Sequence, residues 1–375
     1  MKITRIRIYR PRRLNITFNQ SDMVVTIETD SGLTGIGEGG TRDMLEQCGA
    51  MLIGEDPARI QHLWQLMYRG FFYPAGREKL HALGALDLAL WDLKGKALNA
   101  PLYDLLGGLT RDYVECYSTG YPWQGSLGAT AQACIAAGFR AFRTAAGDIR
   151  DGVFNARLVV DQTYQHCREI KDSLSAGGDW SIDLHTRFDL ADAVHLCSLI
   201  EDLNPLLVED PLRSENPGAL TSLRPLVRVP IAVGEQFGDR WDINELVEHH
   251  LIDYARVTLP NTGGITEFLK IAALCETHYV GLVPHFTGPI ALAALVHVLS
   301  ALPTPALMEI AGASPKLPPH LKQAANFHDG RLWPQPLPGL GVAFDPAGAD
   351  LVSEITERNA PIPTYRRPDG SYTNW

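Results

Sequence analysis

Three carboxylates recur at a fixed interval: Asp183 in "SIDLHTR", Glu209 in "LLVEDP" and Glu235 in "AVGEQF", spaced by 26 and again by 26 residues. Each lies at the end of a short apolar run that reads as a buried strand. Three ionised carboxylates brought together repel, so either protons are taken up or a cation sits among them. Oxygen donors of this kind suit a hard divalent cation, most simply Mg2+, which keeps positions open for water or substrate. One acid at a strand end reads as a helix N-cap or a solvated residue. Three at matching positions and equal spacing read as a metal site. His185 follows Asp183 by two residues. On a strand such positions share a face, so His185 is expected to point into the same cavity. His285 closes "GLVPH" and is expected across the same rim. Arg187, two residues past His185, is a further candidate for contact with a substrate.

The interval of 26 residues is close to the length of one strand–helix unit. Strands read near 113–119, 139–144, 180–185, 206–210, 230–235, 253–258, 279–284 and 305–310, with helical patterns between them. Eight strands alternating with helices predict a parallel (β/α) barrel, with the three acids at its C-terminal rim. An open doubly wound sheet is the alternative, but no G-x-G-x-x-G follows the first strand. The first ~110 residues read differently. "ITRIRIYR" and "MVVTIETDSGLTGIGE" alternate like antiparallel strands, and 56–106 reads as helices. In "HALGALDLALWDLKGKAL" one helical face carries Leu83, Leu86, Leu90, Leu93 and Ala97, and Asp92 pairs with Lys96 at i, i+4. The Pro- and Gly-rich tail, "PLPGLGVAFDPAGADL", is expected to fold back on the N-terminal domain.

The chain has 375 residues and a net charge of −10, which disfavours nucleic acid as a partner because phosphate binding needs a clustered basic surface. Arg5, Arg7, Arg10, Arg12 and Arg13 form the one basic cluster, and their spacing reads as the solvated face of a strand. The six scattered cysteines read as buried thiols in a reducing compartment. The longest apolar run, 290–302, is too short to span a bilayer and reads as a buried helix. A soluble cytoplasmic protein without membrane or nucleic-acid partners is expected.

On these residues the sequence resembles the enolase superfamily, in its mandelate racemase/muconate lactonizing enzyme branch. "GALDLALWDLKGKALNAPLYDLLGG" (84–108), the Asp183/Glu209/Glu235 ladder, "NTGGITEFLKIAALCE" (261–276) and "PGLGVAFD" (338–345) carry the likeness over nearly the whole chain. The resemblance implies a modified TIM barrel, (β/α)7β, under an α+β capping domain built from both chain ends. The division expected is 1–112 for the N-terminal part of the cap, 113–318 for the barrel and 319–375 for the segment that completes the cap. Capping loops near 14–22 and 68–75 would close over a substrate, although their aromatics read equally well as domain-interface core.

"DLHTR" and "VPHFTGPIALAA" resemble the acid-sugar dehydratases of that branch. The activity implied is Mg2+-dependent dehydration of an acid sugar, an aldonate such as galactonate, to a 2-keto-3-deoxy acid by a hydro-lyase. In that likeness His285 is the base at C2, His185 the acid for the leaving 3-hydroxyl, and Asp183, Glu209 and Glu235 the metal ligands. Glu309, in "LMEI", matches a family position near the substrate. A homo-oligomer is also implied. The mechanism that comes with the resemblance is proton abstraction by a Lys or His base, with Mg2+ stabilising an ene-diolate.

Two departures stand out. The family pairs the seventh-strand histidine with an Asp on the sixth strand, where this chain has Thr258. A hydroxyl orients an imidazole without stabilising its cation as a carboxylate does. The second-strand Lys-x-Lys of the racemases is Arg143 and Ala145 here. Arg is a poor base, so a racemase with a lysine base is disfavoured. Arg143 reads instead as a contact for substrate carboxylate or hydroxyl, or as an ordinary strand-end charge. An epimerase of an acid sugar, and a catalytically impaired metal-binding homologue, remain as alternatives.

Overall fold

The computed structural model describes residues 1–12, 23–147, 152–174, 177–322, 326–360 and 364–373. The expected capping loop at 14–22 and Arg13 lie outside the described residues. Alternating apolar residues build β1 (Ile3–Pro11), β2 (Val24–Thr29) and β3 (Thr34–Glu38). They are followed by α1 (Arg42–Ala50), α2 (Ile60–Arg69), α3 (Arg77–Leu98) and α4 (Leu102–Leu105). One face of β1 buries Ile6 and Ile8, while Arg5 and Arg7 on the other pair with Glu28 and Glu354. Arg12 pairs with Asp350, so three arginines of the basic cluster are salt-bridged.

Strands and helices then alternate. The order is β4 (Val114–Thr119), α5 (Leu127–Ala136), β5 (Ala141–Ala145), α6 (Ala156–Ser173), β6 (Asp179–Asp183), α7 (Leu190–Ile200) and β7 (Val208–Glu209). It continues with α8 (Leu220–Leu223), β8 (Ile231–Val233), α9 (Arg240–Glu248), β9 (Tyr254–Ala255) and α10 (Ile265–Thr277). β10 (Gly281–Leu282), α11 (Pro289–Ala301) and β11 (Met308–Ala311) end the series. Each of the eight strands falls inside or overlaps its expected range. Neighbours from β4 to β10 pair in parallel, and β11 pairs in parallel with β4. Next to β10, Leu282 bridges to Ala306 and its N–H donates to the Pro305 carbonyl at 2.8 Å. The domain is therefore barrel-like. Tyr117, Ala141, Leu207, Ala232 and Val283, contributed from around the ring, form an apolar cluster separate from the main core.

Three strands come from the tail: β12 (Asn326–His328), β13 (Arg331–Trp333) and β14 (Ala349–Ile355). β13 pairs antiparallel with β4, and β14 pairs antiparallel with β1, from Ile6 opposite Ile355 to Pro11 opposite Ala349. The first sheet thus has the order β14-β1-β2-β3.

Helix α3 packs on β2 and β3 of the first sheet and reaches α10 of the barrel-like domain. Its Asp87 carboxylate accepts the Thr266 N–H at 2.9 Å and the Thr266 hydroxyl at 2.6 Å, satisfying a free donor in the first turn of α10. Asp92 accepts the N–H groups of Ile36 and Leu340 and pairs with Lys96 at 2.6 Å. The expected i, i+4 pair is present, but Asp92 is fully buried. Glycine is required at position 84, where a Cβ would overlap the carbonyl of Pro260. The apolar run 290–302 is the buried α11. All six cysteines are buried and free. Among the described residues no helix is long and apolar enough to cross a membrane.

Candidate active site

Asp183 and Glu209 are the last residues of β6 and β7 and stand opposite each other in register. Glu235 follows β8 by two residues. The equal spacing in sequence therefore delivers the three acids to one end of neighbouring strands. A cavity of about 870 Å³ opens there. Arg143, His185, Glu235 and His285 line it from the barrel-like domain, and Arg77 and His81 line it from α3.

His185 reaches this cavity by a route other than the one expected. β6 ends at Asp183, and His185 and Thr186 take left-handed conformations with φ of 48° and 57°. The i, i+2 strand argument therefore fails: a turn, not the strand face, carries the ring. The Asp183 carboxylate accepts the His185 N–H at 2.8 Å and lies 2.9 Å from its Nε2. Arg187 sits past this turn, is exposed, and is not among the residues lining the cavity.

His285 is buried, and its Nε2 lies 3.1 Å from Glu235. Burial pulls its pKa below the ordinary value, with Glu309 and Glu235 opposing. The Thr258 hydroxyl is buried and makes no hydrogen bond among the described residues. It does not orient the ring, and the nearby carboxylate is Glu235.

The acids do not share one environment. Arg143 pairs with Asp183, lies 3.1 Å from Glu209, and holds its Nε 3.7 Å from Glu309. Burial would raise the Asp183 carboxyl, but Arg143 and His185 outweigh it and hold the pKa down at about 2. Burial pushes Glu209 up to about 8 despite Arg256 and Arg143. Asp210 is pushed well up, by burial first and then by Glu209, Glu235 and Asp183. Glu309 is buried on β11 and accepts from Arg256, Thr119 and the Phe286 N–H. It is not among the cavity-lining residues and serves as a support for groups that are.

Oxygens of Glu209, Asp210 and Glu235 lie within 4.8 Å of one another. One Asp210 oxygen is buried without a hydrogen bond among the described residues. Hard oxygen donors this closely spaced, one of them without a partner, fit a divalent cation. Asp210 joins Glu209 and Glu235 in this close triad, and Asp183, in register with Glu209, adjoins it while facing Arg143 and His185.

Four groups escaped the sequence reading. Asp210 is adjacent to Glu209 and resembles a helix-capping acid. Arg77 and His81 sit four apart at the start of α3, a spacing that puts both on one face of the helix. Arg256, fully buried between strands, interrupts the apolar stretch "YARVTL". In the 68–75 segment, Phe72 and Tyr73 are 63% and 78% exposed, and neither lines the cavity. Tyr68 donates its hydroxyl to Asp239 at 2.7 Å, an interface role.

Residues 126–348 match the family model described as enolase C-terminal domain-like. Residues 3–107 match the N-terminal domain of mandelate racemase/muconate lactonizing enzyme. The chain is 35% identical to the D-galactonate dehydratases of Ralstonia pickettii (strain 12J) and Ralstonia nicotianae, over 100% of both chains in each case. Among solved structures, an enolase from Agrobacterium radiobacter bound to Na and L-malate aligns at a TM-score of 0.83 and 29% identity, covering 99% of each chain.

Proposed function

The chain belongs to the enolase superfamily, in its mandelate racemase/muconate lactonizing enzyme branch, and we propose that its cavity dehydrates an acid sugar. It is a hydro-lyase. In our reading the substrate is an aldonate such as galactonate and the product a 2-keto-3-deoxy acid. The observation that carries the reading is the pair of histidines, His185 and His285, lining one cavity beside the carboxylate cluster.

His285 takes the proton from C2. Its burial favours the neutral imidazole that can accept one. His185, held by Asp183, gives a proton to the 3-hydroxyl, which leaves as water. The resulting enol gains a proton at C3 and becomes the 2-ketone. Mg2+ is the cation in this reading, with Asp183, Glu209 and Glu235 as ligands and Asp210 beside them. When bound it would offset the negative charge that builds on the substrate carboxylate as the α-proton leaves. Arg143 and the cap residues Arg77 and His81 would hold the substrate's carboxylate and hydroxyl groups.

We also read the barrel-like domain as (β/α)7β over 113–318, supported by eight parallel strands and seven intervening α-helices among the described residues. The cap would comprise 1–112 and 319–375, supported by the pairing of β14 with β1. A cytoplasmic homo-oligomer without nucleic-acid or membrane partners completes the proposal; six free thiols and a net charge of −10 support the compartment and the lack of affinity for phosphate backbones.

The test is a 2-keto acid assay on chelator-stripped protein against a panel of aldonic and aldaric acids, with and without Mg2+. Keto acid from an aldonate, only after the metal is restored, is expected. No keto acid from any of the panel would overturn the proposal. Because both histidines line the cavity, epimerisation at C2 is the second reading, and recovery of an epimer without keto acid would favour it.

A further inference from the structure

Arg256 directly follows β9 and has 0% of its surface exposed. A guanidinium cannot shed its charge, so a buried one must be matched by acceptors on several sides. Its Nε pairs with Glu209, its Nη2 with Glu309, and its Nη1 donates to the Val283 carbonyl at 3.3 Å. The fourth wall is the ring of Tyr117, 5.8 Å away.

The two carboxylates lead in different directions. Glu209 belongs to the acidic cluster. Glu309 accepts the backbone N–H of Phe286 at 2.9 Å, the residue next to His285. One side chain therefore ties a carboxylate of the proposed metal site to the backbone that carries the proposed base. Position 258, where relatives are expected to place a carboxylate for that histidine, offers only a hydroxyl without a hydrogen bond among the described residues.

We propose that Arg256 is a positioning residue that sets Glu209 for metal binding and, through Glu309, fixes the segment bearing His285, in place of a carboxylate at position 258. The inference rests on reading Glu209 as a ligand and His285 as the base. It differs from a purely structural ion pair in what it makes measurable. A structural pair governs folding alone, whereas a positioning residue also governs metal affinity and turnover in the folded protein.

The experiment compares wild type with R256M, R256K and E309Q. Thermal unfolding monitors the fold, Mn2+ titration followed by electron paramagnetic resonance reads the metal site, and kcat and KM are separated. In folded R256M the Mn2+ affinity is expected to fall by about 10- to 100-fold, the range for groups that orient ligands. A fall in kcat with little change in KM should accompany it. R256K keeps the charge but lacks the planar fork, and should recover only part of each loss. E309Q should lower kcat, and if R256M does not fold it carries the test. A lower Tm with unchanged Mn2+ affinity and unchanged kcat, in whichever variant folds, would overturn the inference alone. Wild-type protein that binds no Mn2+ would overturn the metal reading and the inference with it.

Discussion

Asp183 and Asp210 compete for one place in the cluster, and their surroundings separate them. Asp183 ends β6 in register with Glu209, while Asp210 lies one residue past the end of β7 in a left-handed conformation, with φ of 43°. D183N is therefore expected to weaken Mg2+ binding by at least about 10-fold, with D210N affecting it much less. Titration calorimetry reads the difference, and the reverse order would make Asp210 the ligand. His285→Asn should lower kcat for keto acid formation by ~100-fold or more, the range for a general base. R187A should leave it near wild type, since Arg187 does not line the cavity. Steady-state kinetics on both variants checks the pair. At this scale the three spaced acids and both histidines are legible in the sequence because strand ends recur once per unit. Arg256 is not, because its partners come from Glu209 and Glu309, 47 and 53 residues away, and only the folded ring brings them together.

Helix α3 is the element on which the assembly turns. Its first residues bring Arg77 and His81 to the cavity, and its middle carries Asp87 and Asp92 into buried backbone N–H groups. Burial pushes the Asp87 carboxyl from 3.8 up to about 7, against the pull of its Thr266 hydrogen bonds. Between those values the folded protein holds a proton that the unfolded chain has released. Stability therefore falls as pH rises through that window and levels off above about 7. D87N cannot titrate, so its Tm should vary less with pH across the window than that of wild type. Parallel Tm profiles for the two proteins would contradict this. The sequence reveals the apolar face of α3 and the Asp92–Lys96 pair. It does not reveal that Asp92 is buried, because periodicity finds which residues share a face and not what a distant loop lays against them. The same limit explains His185: the alternating pattern runs two residues beyond the true end of β6, where a left-handed turn takes the place of the strand.

Across the whole molecule, the two chain ends are joined in one sheet. β14 covers the edge of β1, which would otherwise present unpaired N–H and C=O groups. Truncation after Gly348 should lower the Tm and promote aggregation on heating, measured by calorimetry and light scattering. A truncated chain as stable and monodisperse as the full one would contradict that role. The eight-strand order is legible because buried parallel strands are apolar runs at a regular interval. The pairing of the tail with β1 follows less directly, since Pro- and Gly-rich segments carry little periodicity.

Loss of water from C2 and C3 of an acid sugar inside this cavity leaves an isotopic record. The most direct measurement is proton NMR of the reaction in D2O with Mg2+ and galactonate, extended to other aldonates. A 2-keto-3-deoxy acid carrying one solvent deuteron at C3 is expected. Deuterium appearing only at C2 of a recovered acid or its epimer, with no keto acid formed, would contradict it.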